Sequence, residues 1–255
     1  MKFILLMAIF SSFSWSKTIV LIGYFDAFEG AVANNSEKVA KLLEKRSHSR
    51  DDYEIRLCRL NTVFDKSFRQ FEDCLKNMTT TPELILGLGE ANCKFKIETI
   101  VRNLDQNIRP DNEGNVRMNT PIIVGAQDEI GLNYPLAGMY CSLNKKERSQ
   151  TQVSIDAGSF VCNNISYQMT NYYKDLKYGF IHVPAHYCKN LSTKTFATVI
   201  KLEKMIHAGL FGEKLSIPTT KEGLKKLEWE SKDNFCENQF YKKLQMLKRN
   251  SPRKF

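Results

Sequence analysis

Beyond its first residues, the 255-residue chain has no stretch approaching the roughly 18 consecutive apolar side chains that a membrane-spanning helix requires. No membrane span is therefore expected, and the mature protein should be soluble. The chain has no CxxC pair and no Cys/His cluster at zinc spacing, so a structural metal is not expected. It also lacks segregated charge over most of its length. The net +9 arises from 37 Lys and Arg scattered among 28 Asp and Glu, which argues against a basic stripe for nucleic acid. The far end differs, because no acid follows Tyr241, whereas Lys242, Lys243, Lys248, Arg249, Arg253 and Lys254 do. No nucleic-acid-binding motif accompanies these charges, and they read as a solvated tail.

With 42% hydrophobic and 25% charged residues, the chain has the composition of an ordinary globular protein able to bury one sizeable core. Its opening resembles an export signal. Met1 and Lys2 supply positive charge, Phe3 to Phe10 form an apolar run, and Ser14-Trp15-Ser16 offers small residues around a cleavage point before Lys17. The expected division is a leader over 1–16, a main domain over 17–210 and a basic extension over 211–255. Export, periplasmic or secreted, alters how the seven cysteines are read, since oxidising compartments let thiols pair. Setting Cys162 aside leaves Cys58, Cys74, Cys93, Cys141, Cys188 and Cys236, enough for up to three disulfides whose pairing the sequence does not give.

Hydrophobic periodicity then orders the chain. Thr18 to Gly23 reads as a buried strand, followed by a loop through Asn34 and an amphipathic helix over Ser36 to Arg46. The alternation repeats with Tyr53 to Leu60 as strand, Phe64 to Lys76 as helix, and Glu83 to Leu88 as a strand closed by Gly89. Residues 90–150, richer in Asn, Asp, Gly and Pro, read as loops and short strands. Order returns with a helix from Asn163 to Leu176, a strand from Tyr178 to Val183 stopped by Pro184, and a helix from Ser192 to Leu210. Repeated βα units predict an α/β fold, a three-layer α/β/α sandwich around a mostly parallel mixed sheet. Past Leu210, short amphipathic segments over Leu224 to Trp229 and Phe240 to Leu247 suggest an extension packed on the surface, with a disordered tail as the competing reading. In such folds ligands sit beyond the carboxyl ends of the strands, so the loops after Gly23, Gly89 and Ile181 are the natural site builders.

Chemistry is suggested by Cys162. It follows Asp156-Ala157-Gly158-Ser159-Phe160-Val161, where Gly allows a sharp turn, and directly precedes a predicted helix whose N-terminus favours a thiolate. His182, at the end of the Tyr178 to Val183 strand, can reach the same mouth. By composition alone an ordinary core cysteine and a core histidine remain open, since seven Cys and four His allow many pairings.

Four segments carry a resemblance. Ser154-Ile155-Asp156-Ala157-Gly158-Ser159-Phe160-Val161-Cys162-Asn163 resembles the cysteine box of the pyroglutamyl peptidase type I (pyrrolidone carboxyl peptidase) family, and Gly179-Phe180-Ile181-His182-Val183-Pro184 its histidine box. Glu98, with Asn103-Leu104-Asp105 and Pro110-Asp111-Asn112 downstream, resembles its glutamate box. Gly23-Tyr24-Phe25-Asp26-Ala27-Phe28-Glu29-Gly30 with Asn34 is similar to its aromatic substrate loop. The resemblance covers roughly residues 18–210 and implies a cysteine peptidase that removes N-terminal pyroglutamate from peptides, without cofactor. Cys162 would be nucleophile, His182 base and Glu98 orienter. Phe25, Phe28 and Phe160 would wall the lactam slot, Asn34 would hydrogen-bond the ring, and the family's tetramer is implied. A catalytically silent binding protein on the same fold and a thiol amidase of other specificity are the competing readings.

Departures from the family pattern stand out. Glu90 follows Leu88-Gly89 where the family has Gln, which would put a negative charge beside the lactam site. Ile108-Arg109-Pro110-Asp111 shifts the family's arginine by one residue, the Cys162 to His182 interval is short, and Glu98 lies closer to Glu90 than expected. Asn-x-Ser/Thr sites at Asn34, Asn77, Asn164 and Asn190 include two in the site region, where a glycan would obstruct binding. They point to a compartment without such glycosylation.

Overall fold

The computed structural model describes residues 16–28, 30–212 and 235–250. The expected leader, apart from Ser16, lies outside the described residues, as do Glu29 and the segment Leu224 to Trp229.

The first βα unit shows how the sequence builds the sheet. Strand β1 (Thr18–Phe25) is a continuous apolar run buried from Val20 onward, as a strand covered on both faces must be. Helix α1 (Asn35–Ser47) begins where the Asn34 side chain accepts a hydrogen bond from the Ser36 N–H at 2.9 Å. It has Glu37 in its first turn and Lys45 and Arg46 in its last, matching the helix dipole, and buries Val39, Ala40 and Leu43. Then follow β2 (Tyr53–Leu60), α2 (Lys66–Lys76) and β3 (Leu84–Glu90). The polar middle holds β4 (Phe95–Glu98), β5 (Ile100–Arg102), β6 (Asp105–Asn107), β7 (Arg117–Thr120), β8 (Glu129–Gly131), α3 (Leu136–Cys141), α4 (Lys145–Ser149) and β9 (Thr151–Ser154). Helix α5 (Val161–Tyr172), β10 (Tyr178–Val183), α6 (Leu191–Phe211) and a C-terminal helix α7 (Phe235–Asn250) complete the order.

The main sheet runs β2-β1-β3-β10-β4-β9. Its first four strands are mutually parallel, β4 is antiparallel to β10, and β9 is parallel to β4. Helices α2 and α5 cover one face, where the Phe71 ring meets Tyr178 at 6.2 Å. Helices α1, α3 and α6 cover the other, with Tyr134 seated on Gly179 and Met139 on Gly209. The α/β/α sandwich with a mostly parallel mixed sheet is thus the observed architecture.

Three details differ from the sequence expectation. The middle segment contributes β4 to the main sheet as well as forming small two-stranded ribbons, and β9, just past it, joins β4; four-residue strands carry too little alternation to stand out. It also holds α3 and α4, the latter closed by a capping box between Asn144 and Glu147. Helix α5 begins at Val161 and ends at Tyr172, so Cys162 lies inside the first turn rather than before it. Asn163 is not the cap that its residue type suggests, because its side-chain amide is spent on Arg102 and Leu104.

All six remaining cysteines pair: Cys58 with Cys74, Cys93 with Cys188, and Cys141 with Cys236. The first ties β2 to α2. The second joins the loops after β3 and β10, and the third fastens α7 to α3. Helix α7 also buries Phe240, Tyr241 and Leu244, with the Phe240 ring 5.1 Å from Tyr140, so this part of the extension packs on the domain. Removing the last bond with Cys141→Ser and Cys236→Ser together should lower unfolding stability by about 2–4 kcal/mol, since it closes a long loop. Urea unfolding under oxidising conditions measures this.

Candidate active site

Strand β10 alternates so that Tyr178, Phe180 and His182 point to the α5 side of the sheet. His182 is 4% exposed and Glu98, the last residue of β4, is 0% exposed. His182 Nδ1 donates to Glu98 Oε1 at 2.8 Å. The end of β4 is held from two sides: Tyr134 Oη donates to the Glu98 carbonyl at 2.8 Å, and Thr99 N and Oγ1 donate to the Ser154 carbonyl at 2.9 and 2.8 Å.

Cys162 comes to this pair from the N-terminal turn of α5. Gly158 adopts φ +84°, a left-handed conformation that admits glycine without strain, and turns the chain from β9 into the helix. Asn163 then bolts the helix start to the neighbouring segment, accepting from Arg102 N at 2.9 Å and donating to Arg102 O and Leu104 O at 2.9 and 3.0 Å. The first intrahelical bond of this turn runs from Asn164 N to Phe160 O. The amides of Val161, Cys162 and Asn163 precede it and point out of the helix mouth, where they can receive negative charge. The Cys162 sulfur rests on β3: a Cβ placed on Gly89 would come within 2.9 Å of Sγ. Gly89 is also the register partner of His182, so the bare backbone there lets sulfur and imidazole approach. The sulfur is thereby close enough to act on the imidazole.

Electrostatics follow from this chain of contacts. Burial alone would push the His182 imidazole down, but the hydrogen bonds to Cys162 and Glu98 and the negative charge on both overcome it. The imidazole is raised from its ordinary 6.5 to about 9. Burial works to raise the Glu98 carboxyl, yet His182 and Lys96 hold it below the usual carboxylate value. A proton on the ring is thus stabilised from both sides. Cys162 is the free cysteine and is partly accessible.

Beside the sulfur stands an aromatic wall. Phe160, next to the helix start, lies 5.1 Å from Phe28 and 5.1 Å from Phe64, the latter edge-on. Phe25 is 2% exposed and packs at 6.3 Å on Phe180, behind the wall in the core. Asn34 uses both ends of its amide on its own loop, capping α1 and donating to Asp26 O at 3.0 Å. It thereby braces the turn that presents Phe28. Phe64 went unnoticed in the sequence, where it reads as the start of an ordinary amphipathic helix.

Glu90 does not leave its charge beside the slot. Its Oε2 accepts from Asn35 N at 2.7 Å and His186 N at 3.1 Å, and Oε1 lies 2.6 Å from His186 Nδ1. The carboxylate is turned onto the start of α1 and away from Cys162. Arg109 sits on the exposed connection between β6 and β7. Two surface clefts lie at the opposite end of α5 from Cys162, along Gly125 to Gln127 and between Leu75 and Tyr173. Among the described residues, no three His, Cys, Asp or Glu side chains gather to hold a metal, and no helix is long and apolar enough to cross a membrane.

A cysteine at a helix N-terminus, an imidazole and a buried carboxylate, joined on one face of a three-layer α/β/α sheet, define the class of cysteine hydrolases. The comparisons narrow this class. The family model for pyroglutamyl peptidase matches residues 18–209, and the chain belongs to that family. It is 30% identical to the pyrrolidone-carboxylate peptidase of Thermosipho melanesiensis over 198 residues, covering 75% of this chain and 94% of the relative. It is 31% identical to the enzyme of the same name from Bacillus mycoides over 174 residues, 66% of this chain and 78% of that one. In fold it is similar to the crystal structure of pyroglutamyl peptidase I from Bacillus amyloliquefaciens, with a TM-score of 0.68 at 24% identity over 80% of this chain and all of the other. A mutant pyrrolidone carboxyl peptidase from Pyrococcus furiosus gives 0.65 at 25% identity, covering 76% and 98%.

Because a methyl group at Gly89 would collide with Sγ, Gly89→Ala should slow alkylation of Cys162 by iodoacetamide at least about tenfold while the fold persists. Mass spectrometry of the single free thiol, with circular dichroism as the folding control, checks this.

Proposed function

We propose that the chain is a cysteine-type omega peptidase that hydrolyses the bond between an N-terminal pyroglutamyl residue and the rest of a peptide, with Cys162, His182 and Glu98 as its catalytic chain. The observation that carries this reading is the convergence of three side chains: the Cys162 sulfur lies on Gly89, the strand partner of His182, and His182 Nδ1 is bonded to the buried Glu98 at 2.8 Å. Family membership supplies the substrate class.

The geometry supports a two-stage reaction. The Cys162 thiolate attacks the pyroglutamyl carbonyl carbon, and the carbonyl electron pair moves onto oxygen, toward the free amides at the start of α5. As the tetrahedral carbon collapses, the C–N bond breaks, and the His182 imidazolium donates its proton to the departing amine. A thioester remains. Water then enters; the neutral imidazole takes its proton, hydroxide adds to the thioester, and the thiolate leaves with pyroglutamate released. Glu98 fixes the ring so that Nδ1 stays protonated and Nε2 faces the sulfur, and it stabilises the cation. Phe28, Phe160 and Phe64 suit a flat, uncharged lactam, and a free amine or an open glutamate side chain would have to bury an unpaired charge there. The carboxylate of Glu90, tied to Asn35 and His186, leaves that slot uncharged, which favours catalysis on this substrate over a silent pocket.

Export to a periplasmic or extracellular space is part of the same proposal, supported by the apolar opening Phe3 to Phe10 and by three cystines, two within the main domain and one tying the extension to it. So is self-association, for which the exposed Ile108, Val116 and Met118 around the β6–β7 hairpin offer apolar surface.

Release of a reporter amine from pyroglutamyl and prolyl conjugates tests the activity: the pyroglutamyl conjugate should be cleaved and the prolyl one spared, and Cys162→Ala should be inactive. Equal cleavage of both would favour a broader amidase, and cleavage of neither a silent protein. The raised imidazole predicts a pH limb. His182 is protonated below about 9, so kcat/KM should fall as pH rises through about 9. The folding stability that this proton contributes is complete below about 6.5, the ordinary value, and is lost as pH climbs through about 9. Glu98→Gln should shift the limb downward and lower kcat by roughly 10²- to 10⁴-fold. Phe28→Ala should raise KM about tenfold through lost aromatic contact with the ring, leaving kcat nearly unchanged.

A further inference from the structure

Strand β4 places a second charged side chain on the face that carries Glu98. Lys96 precedes it by two residues, so both point toward α5, whereas Phe95 and Ile97 point to the other face. The antiparallel register sets Lys96 directly opposite His182. Its side chain is 15% exposed and its ammonium lies 3.4 Å from Glu98 Oε1, the oxygen that also receives His182 Nδ1. The other oxygen, Oε2, is buried without a hydrogen-bond partner. A carboxylate in that position depends on the positive groups around it, and there are two.

The groups facing this pair from each neighbouring element can be named. Helix α5 contributes Cys162 and β10 contributes His182. Strand β9 contributes uncharged Gln152 opposite Lys96 and Ser154 opposite Glu98, the latter donating its hydroxyl to Asp156 O at 3.0 Å. Strand β3 contributes Gly89 beside His182 and then Glu90, whose carboxylate is taken by Asn35 and His186. Asp156, beyond β9, pairs with Arg102 at 3.3 Å. Lys201 of α6 covers Phe95 on the opposite face of the sheet. Lys96 is therefore the one fixed cation facing the buried Glu98 carboxylate among these groups.

We propose that Lys96 is a positioning residue of the active site: it supplies the counter-charge that Glu98 needs whenever His182 is neutral, and so lets the imidazolium give up its proton to the leaving amine. The role rests on the reading of Cys162, His182 and Glu98 as a catalytic chain. In the resting enzyme, thiolate, imidazolium, carboxylate and ammonium alternate in sign and sum to zero. When the proton passes to the amine and the C–N bond breaks, sulfur is carried as a neutral thioester and the ring is neutral. Glu98 keeps its charge, now balanced by Lys96 alone. The ammonium also opposes the positive ring at every stage, making it a stronger acid.

The decisive measurement does not need a substrate. The His182 ring titration, followed by NMR in the full, disulfide-bonded chain and assigned with His182→Asn, should move upward by about one pH unit in Lys96→Met and return close to the wild-type midpoint in Lys96→Arg. Where the pyroglutamyl conjugate is cleaved, Lys96→Met should lower kcat about three- to tenfold with KM within about twofold, because a weaker acid protonates the amine more slowly. A midpoint that stays put or falls in folded Lys96→Met overturns the proposal. Should that variant melt below working temperature, Lys96→Gln, which keeps the stem and a polar end, is held to the same criterion. Wild-type protein that leaves the conjugate intact would refute the substrate reading by itself, and the ring titration would still decide the part played by Lys96.

Discussion

A carboxylate with no exposed surface is the constraint around which the molecule is organised. Removing Glu98 from water is costly unless its charge is answered nearby, and the answer comes from the adjacent strand, where His182 donates to it. That bond requires β4 to run antiparallel to β10 in a sheet whose first four strands are parallel. The reversal sets the start of β4 beside the end of β10, with Lys96 opposite His182 and Glu98 two residues further along on the same face. A parallel β4 pointing the same way would need a crossover connection, whereas the short loop 91–94 suffices for a strand that turns back beside β10.

The sulfur is brought in by an independent device. Helix α5 is aimed by the Gly158 turn and anchored by Asn163, and its first turn meets β3 where Gly89 has no side chain to obstruct it. Three elements far apart in sequence thus converge at the carboxyl ends of the strands, where an open α/β sheet leaves room for a ligand. The Cys93–Cys188 bond and the hydrogen bond from Ala185 N to Asn92 O at 2.7 Å hold the two loops that frame this end. Glu90 and His186 lie on the same pair of loops and join them to the start of α1. What looked in sequence like a charge misplaced in the pocket is part of this frame.

Much of the architecture was legible in the order of residues. The βα alternation, the strand ends at Gly89 and His182, the turn at Gly158 and the odd cysteine among seven are local features, set by periodicity, glycine and parity. The stretch 90–154 was legible as loops and short strands, but not which of them join the main sheet. Strands β4 and β9 are four residues each, and they gain their place from pairing with β10 and with each other rather than from their own hydrophobic pattern. Helix α5 began earlier than expected because Asn163 was recruited by residues 102–104, a partner sixty positions away that no local pattern reports.

The sequence by itself determined the family and the layered α/β plan and pointed to Cys162, His182 and Glu98, because these reside in local motifs and in hydrophobic spacing. Tertiary structure decided which cysteines pair, where the Glu90 carboxylate turns, that Phe64 joins the aromatic wall, and that Lys96 faces Glu98 across from His182. Each of these depends on strand register and helix docking, and contacts between distant segments are fixed only when the whole core packs at once.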